Sequence, residues 1–219
     1  MILALAATPL EMAPFATEIS PGYENVDMLL SGVGVIETTL RLCRHLEGNP
    51  NAYSAIVQFG AGGAYIQPEV AGQPQLLDVC VATREIAGDF GISYGDRMEY
   101  FDAGLGGEVS LTLSGPFHER CCAIVAAIDP AVRRGSFVSV CGCSGTLSRA
   151  QGLQRYWQAL CENMEGFAAA RVAREYGLPF FEMRAISNMV ENRDRSKWQM
   201  EAACKKAGTL AARLLMELR

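Results

Sequence analysis

Apolar residues in this chain come in short unbroken runs rather than in polar alternation. The clearest are MILALAA (1–7), VDMLLSG (26–32), AIVQFGAGG (55–63), LLDVCVAT (76–83), FVSVCG (137–142) and FFEMRAIS (180–187). Runs of this length suit strands covered on both faces. Between them a second period appears. VIETTLRLCRHLEG (35–48) spaces Val35, Ile36, Thr39, Leu40, Leu42, Cys43 and Leu46 as one helical face. NMEGFAAARVAREYG (163–177) reads as one helix, and SKWQMEAACKKAGTLAARLLMELR (196–219) as a long terminal amphipathic one. Strands alternating with helices predict an α/β layered sandwich with a largely parallel or mixed sheet. No repeat, low-complexity tract or linker interrupts the pattern, which predicts one domain over residues 1–219. AGDFGISYGDRMEYFDAGLGGE (87–108), rich in glycine and aromatics, reads as a long loop that is functional or covers an interface.

Composition narrows the function. The chain has 219 residues, half of them apolar and a fifth charged, with a net charge of −5 and no basic block. That disfavours nucleic acid as a partner and favours a small ligand. The opening apolar run has no Lys or Arg before it and is too short for a secretion signal or a membrane span, so it reads as the first strand of a cytoplasmic protein. The eight cysteines contain no C-x-x-C pair, and with only His45 and His118 present no zinc spacing exists. Most of the thiols therefore read as small core residues in a reducing compartment, and no metal site is expected.

Four segments carry candidate chemistry. ATPLEM (7–12) holds a T-x-x-E capping box with Pro9 at the first helical position. Glu11 is then a cap, or an acid at the C-terminal end of the first strand, where α/β sheets gather ligands; the two are compatible. SGVGV (31–35) and FGAGGAY (59–65) follow strands and suit tight turns or close approach to a ligand. Neither matches the dinucleotide or P-loop fingerprint. Glu165 falls on the helical face of Ala168, Ala169, Val172, Ala173 and Tyr176, where an unpaired carboxylate costs several kcal/mol if fully buried. An acid in the first helical turn is favoured by the helix dipole, which suits an exposed Glu; a carboxylate at a pocket rim, satisfied by the two donors of a vicinal diol, is the alternative for one on the apolar stripe. RAISNMVENRDRSKW (184–198) turns polar abruptly at Ser187 and Asn188, at the edge of a strand.

Taken in order along nearly the whole chain, LAATPLEM, SGVGV, FGAGGAY, NMEGFA and RAISN resemble the purine nucleoside phosphorylase/hydrolase superfamily, in its methylthioadenosine/adenosylhomocysteine nucleosidase branch. SNMVENRDRSKW is similar, more narrowly, to the hydrolases that serve the alternative route to menaquinone. The resemblance implies a three-layer sandwich with a central mixed sheet, no cofactor, and a homodimer or larger homo-oligomer acting on a small nucleoside. It implies roles as well. Glu11 would activate the attacking water, Glu165 would bind the ribose hydroxyls, and Asn188 would face N7 of the purine. Gly62, Met164, Ser187 and Arg193 would contact substrate, and CGCSGTL (141–147) the base.

The nucleosidases carry Asp where this chain has Asn188. Adenine presents a donor at C6 and an acceptor at N7, which a protonated Asp matches. A 6-oxopurine presents two acceptors, and an amide offers two N–H donors. The expected reaction is N-glycosidic hydrolysis of a 6-oxopurine nucleoside, with methylthioadenosine/adenosylhomocysteine hydrolysis or purine nucleoside phosphorolysis as the alternatives. A carboxylated group beyond the 5′ carbon would need a cation, for which Arg84, Arg97 and Arg193 are candidates. Segment 87–108, with Phe90, Tyr94, Tyr100 and Phe101, is expected to close that end of a neighbouring subunit's site.

Overall fold

The structure is a computed structural model that describes residues 1–19, 23–66, 73–94, 97–101 and 103–218. The elements run β1 (Ile2–Ala6), α1 (Pro9–Glu18), β2 (Val26–Leu30), α2 (Val35–Gly48), β3 (Ala55–Tyr65), β4 (Val79–Ala87), β5 (Gly91–Ser93) and β6 (Met98–Tyr100). They continue with α3 (Ala103–Gly106), β7 (Ser110–Thr112), α4 (Pro116–Ile128), β8 (Arg133–Ser139), α5 (Leu147–Trp157) and β9 (Ala159–Asn163). The chain ends with α6 (Gly166–Glu175), β10 (Phe180–Val190) and α7 (Met200–Glu217).

This is an α/β fold built on a mixed sheet of eight strands among the described residues, with β7 pairing antiparallel to β4 off its main path. β1 pairs in parallel with β2 and β3, and β3 in parallel with β10. β10 and β4 are antiparallel, β4, β8 and β9 are parallel neighbours, and β9 returns antiparallel to β3. Five strands thus close a circuit, leaving β1 and β2 as an extension on one side.

Along β1 and through Ile56, Val57 and Phe59 of β3 the side chains divide between two cores. Leu3, Leu5 and Ile56 join Leu42 and Leu46 of α2 and Ala169 and Val172 of α6. Ala4, Ala6, Val57 and Phe59 join Phe15 of α1, Val125 of α4 and Leu214 of α7. Each Leu, Ile, Val or Phe side chain among these, when fully buried, contributes about 1.5–3 kcal/mol. Both faces of the strands are therefore covered, which is why their sequences read as continuous apolar runs. Among the described residues no helix is long and apolar enough to cross a membrane.

Three expectations are corrected. Residues 163–177 are not one helix: Asn163 ends β9 and α6 starts only at Gly166. Glu165 is the residue that caps α6, at φ −126° and ψ −28°, rather than a member of its apolar face. Segment 87–108 is not a single loop, since β5 and β6 pair as a hairpin and α3 follows; residues 95, 96 and 102 lie outside the described residues. The cysteines form no disulfide and five are buried, but Cys141 and Cys143 are exposed.

Candidate active site

The ends of β1, β3, β9 and β10 deliver side chains to one cavity of about 350 Å³. Glu11, Gly62, Met164, Glu165, Ser187, Asn188 and Arg193 all line it.

Glu11 sits in the first turn of α1, directly after β1. Its Oε2 accepts hydrogen bonds from the Thr8 amide (3.0 Å) and the Thr8 hydroxyl (2.9 Å). Its Oε1 accepts from the Ala61 amide at 3.0 Å. An ionised carboxylate offers about four lone-pair sites. Capping and docking to β3 leave one, on Oε1, so the cap and an acid with capacity to spare coexist. Gly60 makes this approach possible. A methyl group there would overlap Glu11 Oε1 and lie 3.0 Å from Arg184 Nη1.

Glu165 is buried, with Oε1 accepting from the Gly34 amide (3.0 Å) and Oε2 from Arg184 Nη1 (3.3 Å). Gly34 presents its amide from a turn at φ 88°, a conformation that glycine adopts without strain. Two lone-pair sites remain on the carboxylate. Burial pushes the Glu165 carboxyl above its usual range, while Arg184 and the Gly34 amide pull it back down. The Arg184 guanidinium is fully buried, yet Glu182, Glu165 and Glu11 around it hold it firmly charged against that burial.

β10 bulges between Ile186 and Asn188, leaving Ser187 as the unpaired extra residue. Such bulges re-aim side chains. The Ser187 hydroxyl lies 2.8 Å from Asn188 Oδ1 and 3.2 Å from the Gly62 carbonyl, and Asn188 Nδ2 donates to the Met189 carbonyl at 3.1 Å. The amide is thereby fixed in orientation with one N–H committed. One donor, rather than the expected two, is left for a ligand.

The remaining predicted residues divide. Gly62 is glycine because a methyl would sit 2.5 Å from Cys161 Sγ. Met164 Sδ accepts from Cys143 Sγ at 3.3 Å, which brings segment 141–147 to the cavity through Cys143 and Ser144. Arg193 lies at the rim with its guanidinium 4.8 Å from the Trp198 ring centre. Of the other candidate cations, Arg84 is spent on Ser136 Oγ and the Trp157 carbonyl, and Arg97 lines a different cavity.

Sequence reasoning missed Arg184, Glu162 and Asn163. Glu162 accepts from the Ser144 amide (2.8 Å), the Ser144 hydroxyl (2.6 Å) and the Tyr65 hydroxyl (2.8 Å), anchoring the 141–147 loop over the cavity. Asn163 Oδ1 takes the amides of Glu165 (2.9 Å) and Gly166 (2.7 Å), shaping the turn that presents Glu165. A signal was available for Arg184. A charged pair E-x-R inside the run FFEMRAIS must be partnered to be buried.

Among the described residues His118, Glu119 and Cys122 form the one group with chelating geometry. It lies outside the cavity, and its donors are engaged. His118 Nε2 lies 2.9 Å from the Ala82 carbonyl, and both Glu119 oxygens accept from Arg134 Nη2.

Comparison with known proteins gives the family. The model of the phosphorylase superfamily matches residues 5–218. Futalosine hydrolase of Streptomyces coelicolor is 33% identical over 184 residues, 81% of this chain and 73% of that one. Futalosine hydrolase of Thermus thermophilus is 29% identical over 221 residues, 97% of this chain and 92% of that one. Among solved structures, a Helicobacter pylori methylthioadenosine/adenosylhomocysteine nucleosidase mutant holding 5′-methylthioadenosine superposes with a TM-score of 0.82 at 17% identity, covering 99% of this chain and 98% of that one. A futalosine hydrolase mutant of Helicobacter pylori gives 0.81 at 18%, with the same coverage. The chain belongs to the phosphorylase superfamily and, within it, to the futalosine hydrolases.

Proposed function

We propose that this protein hydrolyses the N-glycosidic bond of a 6-oxopurine nucleoside, futalosine, releasing hypoxanthine. The observation that carries this is the convergence of Glu11, Glu165 and Asn188 on one cavity, each with hydrogen-bonding capacity left over after its protein contacts.

The free sites on these groups match the reaction. The two remaining lone-pair sites of Glu165 accept from the 2′ and 3′ hydroxyls of ribose, and its charge favours a cationic sugar. The bond between sugar and purine lengthens first, its electron pair departing with the base and leaving an oxocarbenium-like ring. The remaining site on Glu11 Oε1 orients a water molecule. That water attacks C1′ and passes a proton to Glu11. Asn188 donates its uncommitted N–H to the acceptor edge of the departing base. An amide supplies no proton, so the base leaves with much of its negative charge and is protonated from solvent. No cofactor enters this scheme.

The rest of the reading follows the family. The chain is one domain whose two helix groups, α2 with α6 and α1 with α4 and α7, make the outer layers of a three-layer sandwich. It works in the cytoplasm as a homodimer or larger assembly, and Arg193 on Trp198 meets the carboxylated 5′ end of the substrate.

The test is to incubate purified protein with futalosine, inosine, methylthioadenosine and adenosylhomocysteine and identify the free base by chromatography, with and without phosphate. Hypoxanthine from futalosine, independent of phosphate, is the expected result. Faster adenine release, or ribose 1-phosphate formed only with phosphate, overturns it.

A further inference from the structure

Beneath the cavity lies a set of buried charges that the hydrolytic scheme does not use. Glu182 and Arg184 are two residues apart on β10 and share a face, and Glu85 faces them from β4. Glu85 and Glu182 are fully buried and Arg184 is 1% exposed. Arg184 Nε donates to Glu182 Oε1 at 2.9 Å, while Nη1 reaches Glu165 at 3.3 Å. Arg184 is therefore the bridge between the cavity carboxylate and the buried acids.

The other ends of these acids do not balance if both are ionised. Glu182 Oε2 is buried and has no donor among the described residues. Glu85 receives Asn163 Nδ2 (2.6 Å), Ser139 Oγ (2.8 Å) and the Ile86 amide (3.2 Å), all neutral donors, and no cation among the described residues. The two carboxyls press against the same point. A methyl on Gly166 would overlap Glu85 Oε1 and lie 2.5 Å from Glu182 Oε2. With one guanidinium already shared between Glu182 and Glu165, a third buried carboxylate has no second cation among the described residues to offset it. A proton between the two acids removes the excess charge and gives the orphaned Glu182 oxygen its donor.

We propose that Glu85 is held as the neutral acid, hydrogen-bonded to Glu182, and that this acid–carboxylate pair is a positioning device that holds Arg184 against Glu165. Burial and the charge of Glu182 both push the Glu85 carboxyl well above its ordinary range, as the pairing requires. The thiol of Cys161 on β9, itself pushed up by burial, is the further ionisable group that interacts with the Glu85 charge, while Arg184 is bonded to Glu182 and Glu165 rather than to Glu85. Loss of the Glu85 proton would place two like charges beside Gly166 and draw the guanidinium toward them, off Glu165. A displacement of this kind costs on the order of a hundredfold in rate.

The proposal deepens the hydrolase reading, so its test has one arm that does not depend on it. Infrared spectra of the unliganded protein near neutral pH should contain the carbonyl stretch of an un-ionised carboxylic acid, absent from Glu85→Gln. No such band in the wild type, or a band that survives in Glu85→Gln, overturns the proposal whatever the protein hydrolyses. In the second arm, wild-type kcat/KM should fall about a hundredfold at alkaline pH with the midpoint at which the band disappears. Glu85→Gln, uncharged at every pH, should lack that limb. Should this variant fail to fold, the wild type alone decides: different midpoints for band and activity refute the coupling, and equal midpoints support it.

Discussion

Arg184 Nη1 lies 3.3 Å from Glu165 Oε2, an ion pair between side chains 1% and 6% exposed. In such a setting the attraction between charges is offset by the cost of removing both from water. The pair is better understood as a device of orientation than of stability. The fork of the guanidinium reaches two carboxylates from one strand, Glu182 by Nε and Glu165 by Nη1. Glu165 is left with two outward lone-pair sites that are fixed in direction before substrate arrives.

Glu11→Gln separates base catalysis from binding. Every hydrogen bond that Glu11 makes is accepted, from Thr8 and from Ala61. Its amide variant must turn an N–H toward one of those donors and cannot take a proton. We expect kcat to fall by about 10²–10⁴ while purine affinity is kept. Capping loss should cost about 0.5–2 kcal/mol in stability. Steady-state kinetics, purine binding by calorimetry and a melting curve measure the three effects. Unchanged kcat would remove Glu11 from the chemistry.

Asn188→Asp tests the selection of the base. The Ser187 hydroxyl and the Met189 carbonyl fix the present amide with one N–H uncommitted. A carboxylate in that place repels both acceptors of a 6-oxopurine, but when protonated it matches adenine. Release of hypoxanthine should fall by at least about tenfold, and the ratio of adenine to hypoxanthine release should rise. Competition between the two nucleoside classes, read by chromatography, decides it. A fall for both alike would mean that residue 188 aids departure of any base without choosing among them.

Much of this architecture was legible because the strands are covered twice. The residues 35–48 predicted as α2 are the residues observed, and the apolar runs at 1–7, 26–32, 55–63 and 180–187 each contain the start of a strand. β9 was hidden for a physical reason. It is only five residues long, ALCEN, and its last residue, Asn163, opens the segment 163–177 that reads as one helix. That error moved Glu165 from a helix cap to a helix face, although its burial was still foreseen. β4 and β8 were displaced for another reason: arginines at 84, 133 and 134 interrupt or precede their apolar runs, yet pair locally with Ser136, Asp78 and Glu119. The cavity-facing ends of the strands were readable from the switch to polar residues. The charges behind them were not, because a buried Glu or Arg is recognisable only through its partner.

Gly60→Ala is a small change with a large expected effect. The new methyl would collide with Glu11 Oε1 and crowd Arg184 Nη1, two groups held from different elements. Overpacking of this kind typically costs about 1–3 kcal/mol in stability. The fold should survive, but displacing Glu11 and Arg184 should lower kcat/KM by on the order of a hundredfold. Thermal melting beside kinetics gives the comparison. Wild-type kinetics in a folded Gly60→Ala protein would show that the position of Glu11 against β3 is immaterial.

The burial of Glu165 sets an order of events on acidification. Its carboxyl titrates above the ordinary value of 4.5, because removal from water outweighs the help of Arg184 and the Gly34 amide. In the role proposed for Glu165, binding a diol and favouring a cationic sugar both need the ionised form, so kcat/KM should rise with pH through a limb lying above 4.5. Stability runs the other way for this group. A carboxyl raised in the folded state binds its proton more tightly there than in the unfolded chain, so its contribution is fullest at low pH and is lost as pH rises through the folded value. Activity should thus disappear on mild acidification while Glu165 itself gives no reason to unfold. Arg184→Lys sharpens the test: it keeps one positive charge but cannot bridge Glu182 and Glu165 as a fork does. With less of that charge directed at Glu165, its carboxyl rises further, and the acid limb should move to higher pH with kcat reduced. Rate profiles of both proteins, with circular dichroism at each pH, measure this. An acid limb at or below 4.5 in the wild type, or one unmoved in Arg184→Lys, would show that the group controlling activity is not the carboxylate that Arg184 holds.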